Sequence, residues 1–293
     1  MSGATWLVSY PRSGNTWARF AMMAALGDPD RADLEQLDGF ARAVLDRGVI
    51  DHLMESDSGY LDDGETLALR AAFHEARFAG MSPSPIVKVH DKWQRVSNNG
   101  CLHPPAATHA AIYLIRDPRD VAISWAAFMA RPIDWAIAFL SDPHAQVGQL
   151  RQRTTTTVPE YLGSWSDHVA SWVDEAPYPV TVVRYEDMLC EPALCLGDML
   201  NAAGYRVTPA TLEHAVAASR FERLAALERD AGFRDRPDSA ERFFRSGRAQ
   251  AWRAVLSPEQ ADAIAQAHGP MMRRFGYLVD DDETSFHELA QEF

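Results

Sequence analysis

The sequence is short of cysteine, of long apolar runs and of positive charge. Its three cysteines, Cys101, Cys190 and Cys195, are odd in number and lack metal-ligand spacing, which leaves out a disulfide framework and a zinc site. No apolar run approaches the roughly 20 residues that a membrane-spanning helix needs. The first residues lead straight into a strand-like run, with no basic segment or cleavage site before it, so a cytoplasmic protein is the expectation. Lys and Arg number 28 against 41 Asp and Glu, a net charge of −13. That balance repels nucleic acid and anionic membranes at long range, so neither is expected as a partner. An anion site in such a chain must be a local gathering of Arg and Lys.

What is present suits a large core: 293 residues, 47% of them hydrophobic, fit one α/β domain spanning 1–293. Trp6 to Val8 is an apolar run that ends in Pro11, Ser13 and Gly14 and passes into helical spacing at Trp17, Phe20, Ala21 and Ala24. This predicts strand, tight loop, helix, the geometry in which loop N–H groups and a helix dipole converge on an anion. Against the P-loop template, Gly14 and Thr16 stand at the second Gly and the hydroxyl, but Ser9 replaces the first Gly and Asn15 the lysine. The cation is displaced to Arg12. An ATP or GTP hydrolase without that lysine is disfavoured, and no strand ending in a Walker-B Asp is evident.

A second strand is predicted over Ile86 to His90, with Lys88 and His90 two apart on one face. A third, Ala110 to Ile115, is apolar throughout, as suits a sheet covered on both faces. It ends in Arg116-Asp117-Pro118-Arg119-Asp120, where Asp117 reads as N-cap, Pro118 as N1 and Asp120 as the acid of the first helical turn. Ser124 leans back toward Arg116, a pairing suited to gripping phosphate. A fourth strand, Val180 to Arg184, ends in Tyr185-Glu186-Asp187, whose carboxylates read as helix caps. Helices are predicted around Ala41 to Leu45, over Glu65 to Phe78, from Leu162 to Val173, over roughly 191–203, 209–218 and 220–229, and from Pro258 to Phe275 behind a capping box at Ser257. Residues 28–64 read as a solvated acidic excursion, residues 131–157 as an irregular loop and a candidate for part of an acceptor lid, with Thr154 to Thr157 equally readable as an exposed linker, and Asp280 to Glu283 as a solvated tail.

Tyr10-Pro11-Arg12-Ser13-Gly14-Asn15-Thr16-Trp17 has the form YP[KR]SGxTW and so resembles the first motif of sulfotransferases that use 3′-phosphoadenosine 5′-phosphosulfate (PAPS). Arg116, Asp117, Pro118, Arg119, Asp120 and Ser124 match the same family's R-[DN]-P-[KR]-D-x-x-x-S. Arg245, Gly247, Trp252 and Arg253 match part of its third motif, R-K-G-x-x-G-D-W-[KR]. There Ser246 replaces the Lys and Gln250-Ala251 replace Gly-Asp, with Arg248 as a nearby cation. The resemblance implies a three-layer α/β fold related to P-loop NTPases, with a central parallel sheet and helices on both faces. It implies PAPS as co-substrate, no metal, and a small-molecule or natural-product acceptor.

By the same resemblance Arg12, Ser13, Gly14, Asn15, Thr16 and Trp17 hold the 5′ end of the nucleotide, and Arg116, Ser124 and the loop of Arg245, Ser246 and Gly247 hold its 3′-phosphate. Tyr185 and Phe221 adjoin the adenine, and His90 is the base, with Lys88 and Arg12 neutralising developing charge. The family's dimer motif K-x-x-x-T-V-x-x-x-E is not matched, since Pro258 stands at its Val and Asp262 at its Glu, so the oligomeric state stays open. Two alternatives stay open too: a nucleotide kinase-like phosphotransferase, and a nucleotide-binding interaction protein without catalysis.

Overall fold

The chain alternates strand and helix so that four parallel strands share one sheet with their carboxyl ends at one edge. A computed structural model describes residues 2–41, 43–96, 100–148, 156–237 and 240–278. Strand β1 (Ala4–Ser9) leads into α1 (Asn15–Leu26), followed by α2 (Leu37–Phe40), α3 (Arg47–Met54) and α4 (Asp63–Phe78). Next come β2 (Ile86–Val89), β3 (Thr108–Ile115), α5 (Pro118–Met129), α6 (Ile133–Leu140) and the short β4 (Gln146–Val147) and β5 (Glu160–Tyr161). The rest is α7 (Trp165–Ala170), β6 (Val180–Arg184), α8 (Tyr185–Cys190), α9 (Pro192–Ala202), α10 (Pro209–Ala218), α11 (Phe221–Ala231) and α12 (Pro258–Arg274).

The main sheet runs in the order β2-β1-β3-β6, every pair parallel. Alternation along β1 sends Trp6 and Val8 into one core and Leu7 into the other. The first core packs α5, α6, α7 and α12 against one face, centred on Trp125, Trp165 and Trp172. The second packs α1, α9 and α10 against the opposite face through Phe20, Met22 and Leu196. Both faces are therefore covered, which is why β1 and most of β3 are buried without a polar stripe. Register then fixes the edge: Val8 pairs with Val89, Ser9 with Leu114, and Ile115 with Arg184. Just beyond those pairs stand the β1–α1 turn, His90, Arg116 and Tyr185, side by side at the place where open α/β sheets bind ligands.

Several local expectations are corrected. The helix expected around Ala41 to Leu45 is a break between α2 and α3; Ala41 instead offers its carbonyl to Arg19 of α1 (3.1 Å). Residues 28–64 are not a solvated excursion throughout, because Ala32, Leu34, Leu37 and Ala41 bury against α1. These apolar residues stand singly among acids, a spacing that hides their common face. The stretch expected to be irregular contains α6, an apolar helix entered through Pro132. Of the candidate lid, residues 149–155 lie outside the described residues, as does the acidic tail. The helix expected from Leu162 begins at Trp165, where Ser164 caps it, and passes into a wider π turn over Ser171–Glu175. No single helix among the described residues is long and apolar enough to cross a membrane.

Candidate active site

The β1–α1 turn is held by backbone geometry. Arg12 and Gly14 both have positive φ, 72° and 97°. A Cβ on Gly14 would stand 2.8 Å from the Tyr185 ring, so that position requires glycine. No side chain caps the start of α1, so its first N–H groups stay available to an anion. Asn15, where a P-loop carries lysine, turns its amide inward and donates to the Leu7 carbonyl (3.1 Å) and to Ser9 Oγ (3.3 Å). It ties the turn to the strand that feeds it. Trp17 stands edge-on to Tyr185, ring centroids 5.8 Å apart.

Arg12 and Arg116, 104 positions apart in the chain, meet directly: Arg116 Nη1 donates to the Arg12 carbonyl at 3.1 Å. The Arg12 guanidinium donates through Nε to Ser124 Oγ (3.1 Å) and through Nη2 to the Phe243 carbonyl (3.1 Å). It lies over the rings of Phe128 and Phe243, at 4.6 and 4.4 Å. Burial, with Arg116 and Arg245 nearby, brings its pKa down to about 10, still cationic at neutral pH. Arg116 lies over the Tyr185 ring (4.2 Å) and donates to the Arg248 carbonyl (3.0 Å). Its buried Nε has no partner among the described residues.

The loop carrying Arg245 is anchored by carboxylates that sequence reasoning read otherwise or missed. Asp120, expected to serve the first turn of its own helix, is fully buried and accepts the N–H groups of Gln250 (2.7 Å) and Trp252 (2.9 Å). Asp117 does cap, accepting the Arg119 N–H at 2.9 Å. Glu186, expected to cap its own helix, instead accepts the Asp117 N–H (3.1 Å) and the Tyr277 hydroxyl (3.0 Å). Glu228 accepts the N–H groups of Phe243 (2.6 Å) and Phe244 (2.9 Å), a role no sequence signal marks. Gly247, at φ 60°, packs so closely on Phe221 that a Cβ would collide with the ring.

His90 stands one residue past β2. Its Nδ1 lies 2.8 Å from the Ser9 carbonyl, which can only accept, so the proton sits on Nδ1 and the Nε2 lone pair is left free. The His90 carbonyl is held in turn by His168 Nε2–H (2.9 Å), and Tyr113 O–H donates to His168 Nδ1 (2.7 Å). Burial takes His168 down to about 4, keeping this support neutral. Burial and the charge of Lys88 hold His90 well below the ordinary imidazole value. Lys88 lies 3.5 Å from Asp235, which also pairs with the buried Arg19 at 2.9 Å.

One cleft of about 860 Å³ collects these groups. Of the residues singled out in the sequence, Arg12, Gly14, Asn15, Thr16, Trp17, Lys88, His90, Arg116, Ser124, Tyr185, Phe221, Arg245, Ser246 and Gly247 all line it. Ser13 does not: its side chain is fully buried and its Oγ finds no partner among the described residues. Beyond Arg12 the wall turns aromatic, with Trp125 and Phe128 from α5, Trp135 and Phe139 from α6, and Gln146, Val147 and Glu160 from the β4–β5 ribbon. Among the described residues no group of His, Cys, Asp and Glu is arranged to hold a metal ion.

The model of the sulfotransferase domain matches residues 2–276. The chain belongs to the sulfotransferase family. This sulfotransferase is 22% identical over 273 residues to a flavonol 3-sulfotransferase of Flaveria bidentis, covering 88% of this chain and 78% of the relative. Its fold is similar to that of a retinol dehydratase solved with androsterone and the inactive cofactor PAP, with a TM-score of 0.59 and 16% identity, over 92% of this chain and 80% of the other. A mouse sulfotransferase, SULT7A1, complexed with PAP is similar at a TM-score of 0.56 and 17% identity, over 92% and 85% of the two chains. Family membership sets aside the kinase-like and non-catalytic alternatives.

Proposed function

We propose that this sulfotransferase moves a sulfuryl group from PAPS to a hydroxyl of a small, largely apolar acceptor, with His90 as the general base. The observation that carries the reading is the junction of Arg12 with Arg116 in one cleft, because it gathers two arginines beside an uncapped helix start in a protein of net charge −13. The uncapped start of α1 and the Arg12 turn suit the 5′ end. Arg116, whose buried Nε lacks a partner, suits the 3′-phosphate together with the Arg245 loop. Tyr185, Trp17 and Phe221 offer aromatic surface to the base between them.

PAPS supplies the activated sulfuryl group. The acceptor oxygen forms its bond to sulfur as the bond from sulfur to the bridging phosphate oxygen breaks, and adenosine 3′,5′-bisphosphate departs with that electron pair. His90 Nε2 takes the acceptor's proton; the Ser9 carbonyl fixes the tautomer that makes this possible. Arg12 and Lys88 face the oxygens on which charge grows, a role fixed cations perform without reorganisation. The setting proposed is the cytoplasm, where the free Cys101, Cys190 and Cys195 stay reduced.

A thermal-shift comparison tests the donor assignment. Adenosine 3′,5′-bisphosphate at a hundredfold excess over its Kd should stabilise the protein by about 2.7 kcal/mol, whereas ATP with Mg²⁺ at the same concentration should do less. Labelled PAPS should then pass its sulfuryl group to members of a phenol panel. Equal or greater stabilisation by ATP with Mg²⁺ would overturn the assignment.

A further inference from the structure

Of the three carboxylates that line the cleft, Glu222 is exposed, and Asp235 and Glu160 are more enclosed. Asp235 answers Arg19 and Lys88. Glu160 is 8% exposed, lies in the field of Lys88 and Arg70, and among the described residues accepts one hydrogen bond, from the His90 N–H to Oε1 at 3.2 Å. Among the described residues it forms no ion pair, and its second oxygen has no hydrogen-bond donor. A carboxyl group this deep ordinarily has its acceptors filled. Glu160 also pairs in register with Val147, and both line the same cleft as Trp135 and Phe139.

We propose that Glu160 selects the acceptor: its second oxygen accepts a hydrogen bond from a hydroxyl adjacent to the one being sulfated, so that planar aromatic vicinal diols are the preferred class. The adjacency is inferred from the anchor, since the carboxylate accepts from the backbone N–H of the residue proposed as the base. The preference for an aromatic acceptor is inferred from the wall, where Trp135 stacks on Phe139 with centroids 5.3 Å apart and Trp125 on Phe128 at 5.7 Å. Burial, with Asp91 nearby, raises the Glu160 pKa to about 7, and a donor hydroxyl would favour the ionised form. A site built to hydrogen-bond a substrate hydroxyl discriminates against the analogue lacking it, because the buried acceptor is then left unmatched. This inference rests on the sulfuryl-transfer reading above.

The test compares catechol with 2-methoxyphenol, which keeps the size and replaces the second O–H by a methyl ether. The wild-type protein should prefer catechol in kcat/KM by roughly ten- to a hundredfold, the range of a hydrogen bond to a charged group. Glu160→Gln keeps an amide oxygen for the His90 N–H and loses the charge. It should lower kcat/KM for catechol, chiefly through KM, and bring the two acceptors within about threefold of each other. No preference in the wild type, or a Gln variant that loses both acceptors in parallel, would overturn the proposal. So would transfer to neither acceptor by a protein that still shows its shift with adenosine 3′,5′-bisphosphate. Loss of that shift in the wild type would instead sink the underlying reading of the donor site.

Discussion

The two halves of the cleft are built by different means. The half proposed for the donor sets its arginines on shaped backbone: a turn at positive φ, an uncapped helix start, and a loop whose N–H groups are held by Asp120 and Glu228. The acceptor half is made from side-chain area, with Trp125, Phe128, Trp135 and Phe139 forming its wall. A nucleotide with fixed charges demands fixed donors, so few residues serve at each backbone position. An apolar acceptor needs only shape and area, which many combinations of aromatic and aliphatic residues supply.

The sharpest way to break that division is at its seam. His90→Ala should lower turnover by on the order of a hundredfold or more while leaving the shift with adenosine 3′,5′-bisphosphate in place, since the imidazole bonds to Ser9 and not to Arg12, Arg116 or the Arg245 loop. Near-normal turnover would remove His90 as the base. A loss of the nucleotide shift as well would mean that the halves are not separable at this point.

A smaller effect is expected within the donor half. Asp120→Asn leaves one acceptor oxygen where two backbone N–H groups now bond and sets an amide against the other. An unmatched buried donor costs about 1–3 kcal/mol. The loop bearing Arg245 and Arg248 should loosen, weakening the bisphosphate by about tenfold, with acceptor KM little changed. Unaltered bisphosphate affinity would show that this anchor does not support the donor half.

How much could be read in advance follows the same division. That Gly14, Arg116 and Ser124 would share one cleft was legible because they stand at fixed distances from turns and helix starts, so strand order alone brings them to one edge. The sheet itself was legible from the apolar runs that end at Val8, Val89 and Ile115. The buried anchors were not. Glu228 sits in an amphipathic helix like any surface acid, and Asp120 answered equally well to the first-turn rule, which local spacing favours and tertiary contact overrode. Asn15 shows a second role that the motif did not signal, because its side-chain amide ties the turn to Leu7 and Ser9 while the residue lines the cleft. The acceptor wall escaped notice because α6 lies among Pro132, Pro143 and polar runs, and Glu160 gains meaning only from the strand pairing that brings it to His90.

The smallest effect, and the cleanest separation, is expected from Trp135→Ala. Trp135 is only partly buried, packs on Phe139 and touches no residue of the donor half in its ring contacts. Its removal should therefore leave the fold and the nucleotide site intact. A lost aromatic contact of about 0.5–1.5 kcal/mol should raise the KM of a phenolic acceptor by roughly three- to tenfold, with kcat and the affinity for adenosine 3′,5′-bisphosphate close to those of the wild type. Because His90 Nε2 is oriented by the Ser9 carbonyl and not by the wall, acceptors that do bind should still meet the base at the same angle. A matching fall in kcat would show that the wall also orients the acceptor against sulfur, and the acceptor half would then be as geometrically demanding as the donor half.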